Sequence, residues 1–172
     1  FISLLVKHLR MRGIMVGPDF VLGRGREGDA KLLRSLGQEI EFSVEIVAPF
    51  TINGEMVSST LIRQSLAQGN MTKAIELMGH YFYLVGTVIT ADKRGRTLGF
   101  PTANLDTKPQ QALPGNGVYA TIAQVDDKQF PSATNIGTHP TFGNGENRVE
   151  THLLNYEGDL YGKEMRVEFV QK

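Results

Sequence analysis

The sequence contains no cysteine, which excludes disulfides and any thiolate-held zinc. Its four histidines show neither H-x₃-H nor H-E-x-x-H spacing, so the common histidine zinc sites are excluded as well. No apolar run approaches the roughly 18 residues of a spanning helix. The apolar opening Phe1-Ile2-Ser3-Leu4-Leu5-Val6 is too short and wrongly flanked for a secretion signal. Without such a signal, the glycosylation pattern Asn70-Met71-Thr72 carries no weight. Excess charge is lacking too: 18 Lys and Arg balance 18 Asp and Glu. No global field draws the chain to nucleic acid or to a membrane surface, and any anion site must be local. There is no internal repeat and no low-complexity segment. The sequence lacks an initiator methionine and opens in mid-helix, so we expect it to begin inside a longer protein. A cytoplasmic enzyme is the plain reading.

What is present is a chain of 172 residues, 41% hydrophobic, enough for one full domain or two small ones. Residues 1–12 read as an amphipathic helix with Ile2, Leu5 and Leu9 on one face and Gly13 as its C-cap. Ile14-Met15-Val16 reads as a short buried strand. Asp29 is placed to cap a helix that turns Leu32, Leu33 and Leu36 inward and ends at Gly37. Residues 40–46 alternate as a half-exposed strand. Ser58 and Asn70 open two further helices, the second closed by Gly79. Beyond Gly79 the pattern changes to strands: 81–90, 97–105, 118–125, 130–137, 149–155 and 164–170, separated by Gly, Asn and Asp turns. Six short strands without long helices predict a small closed β-barrel. We place the domain boundary here, giving domains 1–79 and 80–172.

The stretch Gly95-Arg96-Thr97-Leu98-Gly99-Phe100-Pro101-Thr102-Ala103-Asn104-Leu105 holds the densest chemistry. Its glycines let backbone N–H groups approach phosphate oxygens, and Pro101 biases Phe100 toward an extended conformation. Thr102 and Asn104 share one face of an extended segment, where a hydroxyl and an amide oxygen suit Mg²⁺ beside phosphate. No G-x-x-x-x-G-K-[ST] loop occurs anywhere. A plain glycine turn before a strand would use the same residues.

Three other places carry candidate chemistry. The loop 17–29 offers glycines with Arg24 and Arg26 as planar phosphate donors, although an ordinary strand-to-helix connection would look alike. The helix start at Ser58-Ser59-Thr60, with Arg63 one turn in, suits phosphate, although capping alone explains one serine. In Val149-Glu150-Thr151-His152-Leu153, alternation puts Glu150 and His152 together. Glu150 is the best candidate for a proton acceptor, and a solvated surface glutamate is the plainer alternative.

Residues 86–105, with Pro101-Thr102-Ala103-Asn104 inside them, resemble the signature of riboflavin kinases. Gly117-Val118-Tyr119-Ala120, Asn135-Ile136-Gly137, Pro140-Thr141-Phe142, Glu150-Thr151-His152 and Gly158-Asp159-Leu160-Tyr161-Gly162 follow in that family's order. The first half resembles the later part of the adenylyltransferase module fused to this kinase in bacterial FAD-synthesising enzymes. It does so through Val16-Gly17-Pro18-Asp19-Phe20, residues 23–29 and Ser58-Ser59-Thr60-Leu61-Ile62-Arg63.

The resemblance implies an α/β plus β chain: the C-terminal part of a Rossmann-like nucleotidyltransferase domain, then a six-stranded riboflavin-kinase-like barrel. It implies ATP-dependent phosphorylation of riboflavin to FMN, and adenylylation of FMN to FAD by a module incomplete here. Glu150 would be the kinase base. Gly86, Gly95, Arg96, Gly99, Pro101, Thr102 and Asn104 would hold ATP phosphates, with Mg²⁺ on Thr102 and Asn104. His139-Pro140-Thr141-Phe142 would approach the nucleotide. Gly23, Arg24, Arg26, Ser58, Ser59, Thr60 and Arg63 would hold ATP in the adenylyltransferase. Tyr119 and Phe100 read as core aromatics. The expected partners are riboflavin, FMN and ATP, with no nucleic acid and no membrane. A non-catalytic flavin- or nucleotide-binding barrel is the alternative. An RNA-binding barrel is disfavoured by the balanced charge and the lack of an aromatic stacking row.

Overall fold

The computed structural model describes residues 1–90, 102–108, 110–138 and 147–172. They separate into two compact units, Phe1–Val57 and Ser58–Lys172.

In the first unit, helix α1 (Ile2–Leu9) precedes strand β1 (Gly13–Val16). The short strands β2 (Val21–Leu22) and β3 (Gly28–Asp29) flank a 3₁₀ turn, Arg24–Arg26. Helix α2 (Ala30–Glu39) then crosses to β4 (Ser43–Ile46), which pairs in parallel with β1. A hairpin of β5 (Thr51–Ile52) and β6 (Glu55–Met56) completes the unit. Ile2, Val16, Leu33 and Phe42 form its core. Asp29 caps α2 as expected, its carboxylate accepting from the N–H groups of Lys31 and Leu32 at 3.0 and 2.9 Å.

Three local expectations are corrected. The C-cap of α1 is Arg10, in left-handed conformation, and not Gly13. Gly13 begins β1, where a Cβ would meet the Ser43 hydroxyl at 2.4 Å. Gly37 does not end α2 but lies buried inside it, because a Cβ there would stand 2.6 Å from the Phe42 carbonyl oxygen. Leu32 faces solvent while Leu33 is buried. Both glycines serve close approach rather than helix termination.

The second unit starts with α3 (Ser59–Ala67) and α4 (Met71–Met78). Ser58 and Asn70 are their N-caps, and Gly79 ends α4 in left-handed conformation, as predicted. Six strands follow: β7 (Phe82–Ile89), β8 (Ala103–Asp106), β9 (Gly117–Val125), β10 (Lys128–Thr138), β11 (Asn147–Leu153) and β12 (Glu164–Gln171). They close a barrel in the order β10-β11-β8-β7-β12-β9, and all six pairings are antiparallel. The predicted barrel is therefore present. Leu66, Met71 and Ala74 of the two helices belong to the same core cluster as Leu84, Val167 and Phe169 of the barrel. The packing division thus precedes the helix-to-strand change near Gly79.

Inside the barrel Tyr119 is buried against Phe169, ring centroids 5.3 Å apart, and its hydroxyl donates to the Gly115 carbonyl. Burial pushes that phenol above its ordinary range, so it stays a neutral donor. A ladder of buried hydroxyls crosses three strands. Thr121 bonds Ser132 and Thr134 at 2.8 Å, and Thr134 bonds Thr151 at 2.9 Å. Mutual bonding removes the roughly 1–3 kcal/mol that each buried hydroxyl would otherwise cost. Among the described residues, no helix is long and apolar enough to cross a membrane.

Candidate active site

The barrel's pairing register assembles what the linear sequence keeps apart. Val149, Thr151 and Leu153 point into the barrel, so Glu150 and His152 face outward, as the alternation predicted. On β8, Ala103 and Leu105 are buried, which turns Asn104 to the same outer side. Glu150 sits directly opposite Asn104 in the β11–β8 ladder. Such opposed residues keep their Cβ atoms about 4.5–5.5 Å apart.

Asn104 is the informative member of this pair. Its Oδ1 is shut off from solvent and has no hydrogen-bond partner among the described residues. An unpaired buried acceptor costs roughly 1–3 kcal/mol, so a donor or a cation brought by a ligand would relieve it. A neutral amide oxygen with free lone pairs is what a hard cation accepts, and half-buried Thr102 lies two positions away. The residues therefore fit Mg²⁺. No cluster of three His, Cys, Asp or Glu able to hold a metal occurs among the described residues. A cation here would rest on neutral protein oxygens and on phosphates supplied with it.

Gly86 is not brought to this row. It lies in β7 between inward-facing Leu84 and Val88, where a Cβ would come within 2.5 Å of the Asp106 carbonyl oxygen on β8. The glycine lets two strand backbones pass closely. Gly86→Ala should therefore destabilise the barrel by about 1–3 kcal/mol, the usual cost of overpacking, readable as a lower urea midpoint. Unaltered stability with weakened nucleotide binding would instead assign Gly86 to a ligand. Gly95, Arg96, Gly99, Phe100, Pro101 and the 139–142 segment lie outside the described residues.

The remaining candidates divide between the units. Gly23 and Gly25 adopt positive φ of 84° and 73° around exposed Arg24, and the Arg26 backbone closes the same 3₁₀ turn. At α3, Ser58 Oγ accepts from the Leu61 N–H at 3.2 Å, so this serine is engaged as the cap. Ser59 and Thr60 are exposed, and Arg63 Nη1 donates to Ser59 Oγ at 3.4 Å.

The family model described as riboflavin kinase matches residues 78–172, and that described as FAD synthetase matches residues 1–61. The bifunctional riboflavin kinase/FMN adenylyltransferase of Escherichia coli K12 is 44% identical over 169 residues. Its counterpart in Pseudomonas fluorescens is 38% identical over 170 residues. These alignments cover 97% and 98% of this chain, which spans 54% of each relative. A solved Streptococcus pneumoniae structure, described as a macrolide-efflux protein, superposes with a TM-score of 0.87 at 28% identity. It covers 100% of this chain and 55% of its own. The N-terminal unit is accordingly part of an FAD-synthetase nucleotidyltransferase region. The family model spans more than half of the sequence and covers the whole closed barrel, and the chain belongs to the riboflavin kinase family.

Proposed function

We propose that residues 80–172 form a riboflavin kinase module and that residues 1–79 are part of an FMN adenylyltransferase module. Together they would act in cytoplasmic FAD synthesis, and ATP would serve both reactions. The observation that carries the kinase reading is the unpartnered Oδ1 of Asn104 directly opposite Glu150.

In this reading the Glu150 carboxylate accepts the proton of the riboflavin 5′-hydroxyl as its oxygen bonds to the γ-phosphorus of ATP. The bond from that phosphorus to the bridging oxygen breaks, and ADP departs. Such transfers pass through a loose transition state, so positioning and charge stabilisation outweigh base strength. Mg²⁺, when bound, would neutralise charge on the transferring phosphates. Thr102 and Asn104 are the residues that would hold it. The glycine-rich composition around Gly95, Arg96 and Gly99, with Pro101 rigidifying the entry to Thr102, supports a phosphate-holding role for that stretch. In the adenylyltransferase module, Gly23, Arg24 and Arg26 would hold ATP phosphates, and Ser58, Ser59, Thr60 and Arg63 are proposed for the same task. The positive φ of Gly23 and the exposure of Arg24 support this assignment.

The test is incubation of the chain with riboflavin, Mg²⁺ and ATP, followed by chromatographic detection of FMN. Riboflavin bound but never phosphorylated would select the non-catalytic alternative. Asn104→Ala and Thr102→Val should each raise the Mg²⁺ concentration giving half-maximal FMN formation. Identical magnesium titrations in both variants would leave this stretch a purely structural role.

A further inference from the structure

The Asn104–Glu150 pair belongs to a longer row. Asn104 is paired with Ile89 of β7 on one side, and Glu150 with Asn135 of β10 on the other. Asn135 is in turn paired with Val118 of β9. The order across the barrel is therefore Ile89, Asn104, Glu150, Asn135, Val118, from five strands that are neighbours in the closed sheet. All five side chains face outward, alternating with buried neighbours along their own strands. Three polar residues form the centre and a β-branched apolar residue stands at each end.

Two members of this row have no evident structural task. Asn135 is exposed and makes no side-chain hydrogen bond among the described residues. Its amide Nδ2 leans along β10 toward Gly137, lying 3.7 Å from where a Cβ of that glycine would be. Val118 is 63% exposed, an apolar side chain left in water next to a polar row.

We infer that Asn135 holds the hydroxylated ribityl chain of riboflavin, and that Val118 supports the flavin ring beyond it. The inference rests on the kinase reading above. If Glu150 takes the proton and the Asn104 side holds metal and phosphate, the phosphoryl donor occupies one side of Glu150. In-line displacement puts the attacking and leaving oxygens on opposite sides of phosphorus. The rest of the acceptor must then extend away from Asn104, toward β10 and β9. One strand further on, about 4.8 Å, stands Asn135, and Val118 lies one strand beyond that. A primary amide offers both donors and an acceptor, matching hydroxyls that do both. The apolar Val118 stands where the polyol ends and the fused ring begins. The register thus sets out phosphate, base, polyol and ring in the order of the reacting molecules.

The experiment compares riboflavin with lumiflavin, which carries the same ring without the ribityl chain. Binding to residues 1–172 is followed by quenching of flavin fluorescence, with Mg²⁺ and ADP present. Asn135→Ala should weaken riboflavin binding by about 2- to 12-fold, the range of one lost hydrogen bond, and leave lumiflavin unchanged. Asn135→Ser should restore part of the loss. Val118→Ser should weaken both flavins alike. Both side chains are exposed, so the melting temperature should hold and serves as the folding control. Equal riboflavin affinity in Asn135→Ala, or an equal loss for both flavins, overturns the assignment of Asn135 and leaves the kinase reading standing. Failure of the unsubstituted chain to bind riboflavin at all overturns both.

Discussion

Glu150→Gln should lower kcat for FMN formation by about 10²–10⁴, the usual cost of removing a general base. The substitution preserves size and shape but replaces an oxygen that accepts a proton with an amide that cannot. Glu150 faces out from β11 and is half-buried, so the barrel should fold as before and ATP affinity should change little. This combination separates loss of the base from loss of the site. A uniform loss of binding would raise KM at constant kcat, whereas a group acting only in the transition state lowers kcat and kcat/KM together. A variant turning over at more than roughly half the normal rate would remove Glu150 from the mechanism.

Phe169→Ala should cost the barrel about 3–5 kcal/mol, a large share of the 5–15 kcal/mol that stabilises a typical domain. Phe169 is fully buried on β12 and meets Tyr119 edge-on at 5.3 Å and Phe82 at 5.9 Å. The partners cannot collapse into the space, because each is fixed by its own strand and Tyr119 is tied to Gly115. The loss would appear as a lower denaturant midpoint with the slope unchanged. Phe169→Leu should recover much of it. A loss below about 1 kcal/mol in the alanine variant would show that the aromatic cluster fills space without holding the barrel together.

How much was legible in the sequence depended on how local the cause was. Asp29, Ser58 and Asn70 are recognisable as caps, because a side chain two or three residues from its donor obeys rules written in adjacent positions. The strand runs were equally legible where the structure describes them, the 97–105 run only from residue 102 onward, since inward and outward alternation is a property of each strand alone. Gly13 and Gly37 were misread because their reason lies across the fold, in Ser43 and Phe42, and a glycine beside a helix looks the same in either role. The placement of α3 and α4 with the barrel was not legible either. The caps that open the two helices are local, but that Leu66 and Met71 belong to the barrel's core is decided by residues far along the chain.

The candidate site was half legible. Asn104 and Glu150 could each be singled out by residue type and spacing. That they face one another across a ladder depends on register, and so does the position of Asn135 beside them. Asn135 stood out only within the run Asn135-Ile136-Gly137 that carries the resemblance, with no role attached to it. Only the pairing shows that it extends the row.

The hydroxyl ladder inside the barrel has a bearing on errors made during folding. A slip of one residue between β10 and β11 would turn their apolar faces to water, and the hydrophobic pattern alone rejects it. A slip of two residues keeps every inward residue inward, so that pattern raises no objection. It would nevertheless set Glu150 against Ala133 or Gly137 and dismantle the polar row on the outer wall. What opposes the slip toward Gly137 is Thr151, which in the native register meets Thr134 and would then face Ile136, whereas the slip toward Ala133 would bring it to Ser132. A buried hydroxyl stranded against an aliphatic partner loses its bond at full desolvation cost. The interior hydroxyls therefore act as a proofreading device for the opposite face of the same strands, rejecting a misfold that burial alone would accept.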